Sequence, residues 1–139
     1  MPENQLASRA ACPCGSAKNY TDCCRPFHLG KSTPNTAENL MRARYCAFLK
    51  KEYDYLEETL DPQTALTFDN EGNKSWAESV QLQRLEIIRS EESGNKAIVE
   101  FKAYFKNLSD DSEHVHHEIS KFRKQGGIWY FREGKVHRT

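Results

Sequence analysis

Four cysteines fall in one short stretch, CPCGSAKNYTDCC, running from Cys12 to Cys24. One residue separates Cys12 from Cys14, none separates Cys23 from Cys24, and eight lie between the pairs. Zinc takes four thiolate or imidazole ligands in a tetrahedron, with Zn–S bonds of ~2.3 Å. Cys12 and Cys14 can reach one ion from a tight turn, with Pro13 fixing the backbone between them. Gly15 can take the positive φ that such a knuckle needs, and a short turn over 17–22 returns Cys23 and Cys24 to the same point. A Cys23–Cys24 disulfide is geometrically poor, because neighbouring Cα atoms lie ~3.8 Å apart, below the usual ~4.4–6.8 Å. Cys12, Cys14, Cys23 and Cys24 are therefore expected to hold one Zn2+ per chain. A closed four-thiolate shell leaves no place for water, so the ion should be structural and not catalytic. His28 could replace one cysteine but is expected to stay outside a complete shell.

Two further groups could do chemistry. Arg44 falls inside an apolar helical arc between Leu40 and Phe48 at ~100° per residue, and a buried guanidinium needs a partner. On a later strand, His116, Glu118, Ser120 and Phe122 share one face, and Val115, His117, Ile119, Lys121 and Arg123 the other. If Phe122 points inward, Glu118 arrives beneath the helices, where Arg44 is expected to meet it. His114 and His116 could pinch one ion, but two ligands make a weak site, and solvated histidines are expected. Cys46 is expected on the polar side of its helix as a lone, unreactive thiol.

The elements that must position these groups are legible in outline. Residues 26–34 read as a connector. Asn35, with Glu38 three residues on, reads as the cap of a helix over 36–51, with Met41, Tyr45 and Phe48 on one stripe. A second helix is expected over 54–60, ended by Asp61-Pro62. A short strand over 65–68, a DNEG turn and a brief helix from Ser75 follow. Strands are expected over 82–89, 96–106, 113–124 and 128–132, joined by SEESGN, NLSDDS and QGG turns as an antiparallel meander. In the second strand Val99, Phe101, Ala103 and Phe105 alternate with Glu100, Lys102 and Tyr104, so one sheet face is covered and the helices must cover it.

Composition bounds the remaining readings. Of 139 residues, 37% are hydrophobic, 29% charged and 11% aromatic, with formal net charge zero. That excludes a global field drawing the protein to nucleic acid or an anionic membrane. Locally, Arg9, Lys18, Arg25 and Lys31 stand against Glu3 and Asp22 in the cysteine segment. Lys121, Arg123, Lys124, Arg132, Lys135 and Arg138 stand against Glu133 near the C-terminus. These weak excesses read as solvated surface, with nucleic-acid binding poorly supported. No run of ~20 apolar residues is present to span a membrane, and no signal-peptide pattern opens the chain. A cytoplasmic, reducing location is the expectation, and there clustered cysteines favour metal over disulfides.

The string C-P-C-G-S-x-K-x-Y-x-x-C-C, from Cys12 through Lys18 and Tyr20 to Cys24, resembles the SEC-C motif. That zinc-binding module ends the SecA translocation ATPase, where it contacts the chaperone SecB and phospholipid. The order of helices followed by a curved antiparallel sheet resembles the nuclear-transport-factor-2-like (cystatin-like) cone, an α+β fold. The strings LMRARYCAF, HEISKF and GIWYF are similar to those of the bacterial YchJ family, which joins a SEC-C module to such a cone. The resemblance implies a zinc module over 1–33 and a cone domain over 34–139. Many relatives end in a second SEC-C module; this sequence closes on GKVHRT without further cysteine. The expected function is a non-enzymatic adaptor whose zinc knob docks a protein or nucleic-acid partner, while the cone forms a homodimer through the sheet or carries or binds a small ligand. The alternative is a small-molecule or enzymatic cone pocket lined by Arg44, Tyr45, Glu118 and Ser120.

Overall fold

The structure, a computed structural model, describes residues 10–137; Glu3, Arg9 and Arg138 lie outside the described residues. A 3-10 turn at Tyr20–Asp22 and helix α1 (Arg25–His28) follow the first cysteine pair, so part of the expected connector is helical. Helices α2 (Ala37–Lys50), α3 (Tyr53–Glu58), α4 (Pro62–Ala65) and α5 (Asn70–Ser79) come next. Strands β1 (Val80–Ser93), β2 (Lys96–Asn107), β3 (Glu113–Gln125) and β4 (Ile128–Val136) complete the described chain.

The cap of α2 is Thr36, whose hydroxyl accepts from the Asn39 N–H at 3.1 Å. The expected Asn35 cap is thus displaced by one residue; the Asn35 carbonyl instead accepts from Trp129 Nε1 at 3.3 Å. Glu92 adds a carboxylate to the same helix start, accepting from the Ala37 N–H at 3.0 Å. Lys51, at φ 62°, ends the helix in a left-handed conformation.

Two local expectations are corrected. Residues 65–68 are not a strand: Asp61 caps Gln63 N–H at 3.0 Å with Pro62 at the first helical position, starting α4. The Asp-Pro pair that ends one helix also begins another. Likewise α5 starts ahead of Ser75, because Asp69 accepts from the Gly72 N–H at 2.8 Å, making DNEG its first turn.

The four strands form one antiparallel sheet in the order β1-β2-β3-β4. Register shifts at Leu82/Arg84, Ile87/Arg89 and Lys121/Phe122 bend it. Ala97, Val99, Phe101 and Ala103 of β2 are buried, as their alternation requires. On β3, Ser120 and Phe122 are buried while Val115 is 51% exposed, so the Phe122 face points inward. Helix α2 packs on β1, β2 and β4.

The core runs without a break from Cys12, Cys14 and Cys24 through Leu40 and Ala43 to Val99, Phe122 and Trp129. Trp129 joins that core to the chain entering α2, being fully enclosed while its indole N–H holds Asn35. Trp129→Ala should lower the unfolding free energy by about 3–5 kcal/mol, the usual cost of emptying a buried aromatic site. Urea denaturation followed by far-UV circular dichroism reads that loss.

Candidate metal centre and cone cavity

The four predicted thiols converge. Cys12, Cys14, Cys23 and Cys24 place their Sγ atoms within 4.8 Å of one another. Cys14 and Cys23 lie 3.5 Å apart, and Cys23 and Cys24 3.9 Å. Bonds of ~2.3 Å to a tetrahedral ion require sulfur–sulfur edges of roughly 3.8 Å, so a set whose sulfurs lie within 4.8 Å of one another is consistent with zinc. Two local devices shape it. Gly15 takes φ +84° just after the first pair, and Cys12 N–H donates to the Lys18 carbonyl at 2.8 Å to close the knuckle. Without a cation the thiols cannot share charge evenly. Hydrogen bonds from Cys14, Cys24 and Cys46 hold Cys12 well below the ordinary thiol range, while hydrogen bonding to Cys12 and Cys14 pushes Cys24 well above it. Burial raises Cys23 to about 11. A bound divalent cation would let all four become thiolates.

Contacts from the module turn inward, onto α2. Arg42 Nη1 donates to the Cys14 carbonyl at 2.6 Å, and its Nε pairs with Glu38 at 3.1 Å. His28 is not a fifth ligand. Its Nε2 lies 2.9 Å from the Ala43 carbonyl, so that nitrogen must carry hydrogen, and its Nδ1 lies 2.8 Å from the Tyr20 hydroxyl. The ring also meets Tyr55 edge-on at 4.9 Å between centroids. This histidine is a bolt between the module and two helices.

The expectation for Cys46 is overturned. It is fully buried, with its Sγ 3.9 Å from Cys12 Sγ, on the face of α2 that the module covers. A helix packed from two directions has no polar side there, and Ala43, Cys46 and Ala47 form the small stripe that lets the knuckle approach.

On the other side of α2 the cone holds a cavity of about 680 Å3. Met41, Arg44, Tyr45 and Phe48 line it from α2, Trp76 from α5, and Phe101, His116, Glu118 and Phe131 from the sheet. Arg44, Tyr45 and Glu118 are among the residues that line this cavity. Ser120 is sealed behind them, donating a short hydrogen bond to Glu118 Oε2. The Arg44–Glu118 pair is not formed as expected. Arg44 Nη1 donates to the Leu56 carbonyl at 2.8 Å and to Thr59 Oγ1 at 2.6 Å, and the guanidinium sits 4.6 Å above the Phe131 ring. Leu56 and Thr59 lie at the end of α3, where helical carbonyls lack partners, so that demand outcompetes a carboxylate across the cavity. Burial lowers the Arg44 pKa to about 10, which keeps it charged at neutral pH.

Glu118 instead takes His116 Nε2 at 2.8 Å on Oε1. Burial pushes its carboxyl up, but hydrogen bonds from His116 and Ser120, with the His116 and Arg44 charges, outweigh that and hold it below the usual range. Of the three histidines, His114 is exposed as expected, whereas His116 is half-buried and His117 buried. His114 Nε2 lies 2.7 Å from Ser112 Oγ, and His117 Nε2 lies 2.7 Å from Glu100 Oε2. Each carries its own partner, and among the described residues only the four cysteines form a metal-competent group of three or more.

These features define a nuclear-transport-factor-2-like cone with a SEC-C cysteine cluster packed on its first long helix. Residues 36–134 match the family model described as YchJ, middle NTF2-like domain, and residues 10–26 match the SEC-C motif. The chain belongs to the YchJ-like UPF0225 family. A UPF0225 protein of Actinobacillus succinogenes is 41% identical over 129 residues, covering 91% of this chain and 82% of that one. The solution structure of a SEC-C motif containing protein from Rhodopseudomonas palustris superposes with a TM-score of 0.85. It is 41% identical and covers 91% of this chain and 98% of its own. A crystal structure of a SEC-C motif containing protein from Psychrobacter arcticus gives a TM-score of 0.80 at 33% identity, covering 96% and 86%.

Two outcomes test this geometry. His28→Ala should leave the metal content unchanged while lowering stability by about 1–3 kcal/mol, because the Ala43 carbonyl and the Tyr20 hydroxyl lose their partner. Elemental analysis together with urea denaturation separates that result from a ligand role, in which metal would be lost. Glu118 gives a pH signature. Its folded pKa is depressed, so its contribution is complete above the unfolded carboxyl value of ~4.3 and is lost as pH falls through the folded value. Glu118→Gln should flatten that acid limb of the stability–pH curve.

Proposed function

We propose that the protein is a zinc-clipped ligand-binding cone, in which a small, largely apolar molecule with one polar end occupies the cavity beneath α2. The observation that carries this reading is the cavity itself. About 680 Å3 stays open between Phe48, Trp76, Phe101 and Phe131, with Arg44 and Glu118 reaching it from opposite elements. Apolar walls with a few convergent polar groups are the usual make-up of a small-molecule site. Cys12, Cys14, Cys23 and Cys24 would hold one structural Zn2+ in the module over 1–33, and the ion would fix the described part of that module, residues 10–33, against the helix that roofs the cone. Residues 34–139 would carry the binding. No helix among the described residues is long and apolar enough to cross a membrane; clustered cysteines of metal-ligand type support a cytoplasmic setting.

A second reading keeps the module as an adaptor for a protein partner. Its support is the outer rim, where Lys18 and Arg25 are exposed and Leu29 is 53% exposed. The inward direction of the Arg42, His28 and Cys46 contacts favours the clip.

Purified protein should contain one zinc per chain by elemental analysis, and a strong chelator should lower its melting temperature. Ala103 is 4% exposed and lines the cavity, so Ala103→Leu fills part of it. Saturation-transfer NMR with aromatic fragments should show binding to the wild type and at least a tenfold loss in Ala103→Leu, with zinc retained. Fragments that bind both forms equally would remove the cavity from the function and return the adaptor reading to first place.

A further inference from the structure

Resting on the cavity reading, the geometry points to a proton-transfer site in the cone: His116 as base, Glu118 as its positioning residue, and a small aryl ketone-like carbonyl compound as substrate class. Three independent observations converge on it. First, the carboxylate of Glu118 fixes which imidazole nitrogen is available. With Oε1 2.8 Å from Nε2, the neutral ring must carry its hydrogen on Nε2, leaving the lone pair on Nδ1. Nδ1 makes no hydrogen bond to the described residues, and the ring stands between Trp76 and Phe101, each with centroids 6.2 Å away. Second, Glu118 is itself held from behind. Ser120 donates to Oε2, leaving Oε1 for His116.

Third, the neighbouring strand makes room for that carboxylate. Gly134 pairs with Ser120 across β3 and β4, and a Cβ at Gly134 would collide with the Glu118 carboxyl group. Gly134 does not have a positive φ, so backbone conformation does not demand glycine there. The space is needed by the acid. A base oriented by a half-buried carboxylate, inside walls of Phe48, Trp76, Phe101 and Phe131, matches the requirements of proton abstraction from a compact, mostly apolar molecule.

Arg44 completes the arrangement. Its described hydrogen bonds use Nη1 alone, its side chain lines the same cavity, and its charge acts on Glu118. The step is balanced within the site. The His116 Nδ1 lone pair takes a proton from the carbon next to the carbonyl. The C–H pair becomes the new C–C π bond, and the carbonyl π pair moves to oxygen beside the Arg44 guanidinium. The imidazolium stays opposite the Glu118 carboxylate until it returns a proton to carbon, so no oxidant or co-reactant is consumed.

The test uses the full chain, zinc included, with phenylacetone as probe in D2O. Loss of the proton signals next to the carbonyl should run faster with wild type than with buffer. His116→Gln should reduce the enzymatic rate about a hundredfold, within the range for loss of a general base. Gly134→Ala moves only the flexible carboxylate end. It should cut kcat at least tenfold with KM little changed, and 15N shifts of His116 should lose the single Nε2–H tautomer. Phenylacetone that binds by saturation transfer but exchanges equally with wild type and His116→Gln overturns the proton-transfer site and leaves the cavity reading standing. Phenylacetone that gives no saturation transfer with wild type removes both. Circular dichroism of each variant excludes unfolding as the cause of lost exchange.

Discussion

Helix α2 is buried from two directions, and the rest of the molecule is arranged around that constraint. Of its residues, Ala37, Leu40, Met41, Ala43, Arg44, Tyr45, Cys46 and Ala47 are buried, far more than the single stripe of a surface helix. The two covers differ in kind. Toward the cysteine knuckle the helix offers small side chains, Ala43, Cys46 and Ala47, so backbone can approach backbone. The Ala43 carbonyl can then take His28 at 2.9 Å. Toward the sheet it offers Met41, Arg44, Tyr45 and Phe48, whose length holds the helix away from β2 and keeps the cavity open.

Such a helix needs its polar groups satisfied on both sides, and the solution depends on arginines. Arg42 reaches the knuckle at the Cys14 carbonyl, and Arg44 reaches the end of α3 at the Leu56 carbonyl. Both fill acceptors that chain geometry leaves unpaired, one in a tight turn and one at a helix terminus. Arginine suits the work because its fork spreads several donors over one rigid plane and stays charged when desolvated. The Phe131 face beneath Arg44 supplies the remaining stabilisation, which a carboxylate partner would otherwise provide.

What the sequence made legible follows from how local each signal is. The cysteine spacing, the alternation of Val99, Phe101 and Ala103, and the turn chemistry are all short-range, and the strands and the thiol cluster lie where they were read. The strand expected over 65–68 failed because Asp61-Pro62 carries two local meanings, a stop and a start. Cys46 failed for a different reason. A helical wheel assumes one buried face, and nothing local says that a second body will cover the other. The small stripe of Ala43, Cys46 and Ala47 was the available signal, since three small residues at helical spacing mark close approach. The Arg44 partner was a choice between acceptors distant in sequence, which alternation and period cannot rank. His116 was visible only as a strand residue in phase with Glu118 and Phe122, and its role depends on Gly134, a residue on the next strand that no pattern within β3 could flag.

The double burial also joins the two sites physically. The knuckle contacts α2 at Arg42, Ala43 and Cys46, while the cavity uses Met41, Arg44 and Tyr45, so the two sets interleave within a turn and a half of one helix. A rigid helix cannot shift one face without the other. An ion bound by the four sulfurs would therefore hold the knuckle against α2, whose other side carries Arg44 and Tyr45 into the cone. Loss of that clip would release the Ala43, Cys46 and Ala47 face to water, and an apolar helix so exposed could relax toward the cavity beneath it. A metal held by the four thiols would in that sense be a second support of the helix that lines the cavity.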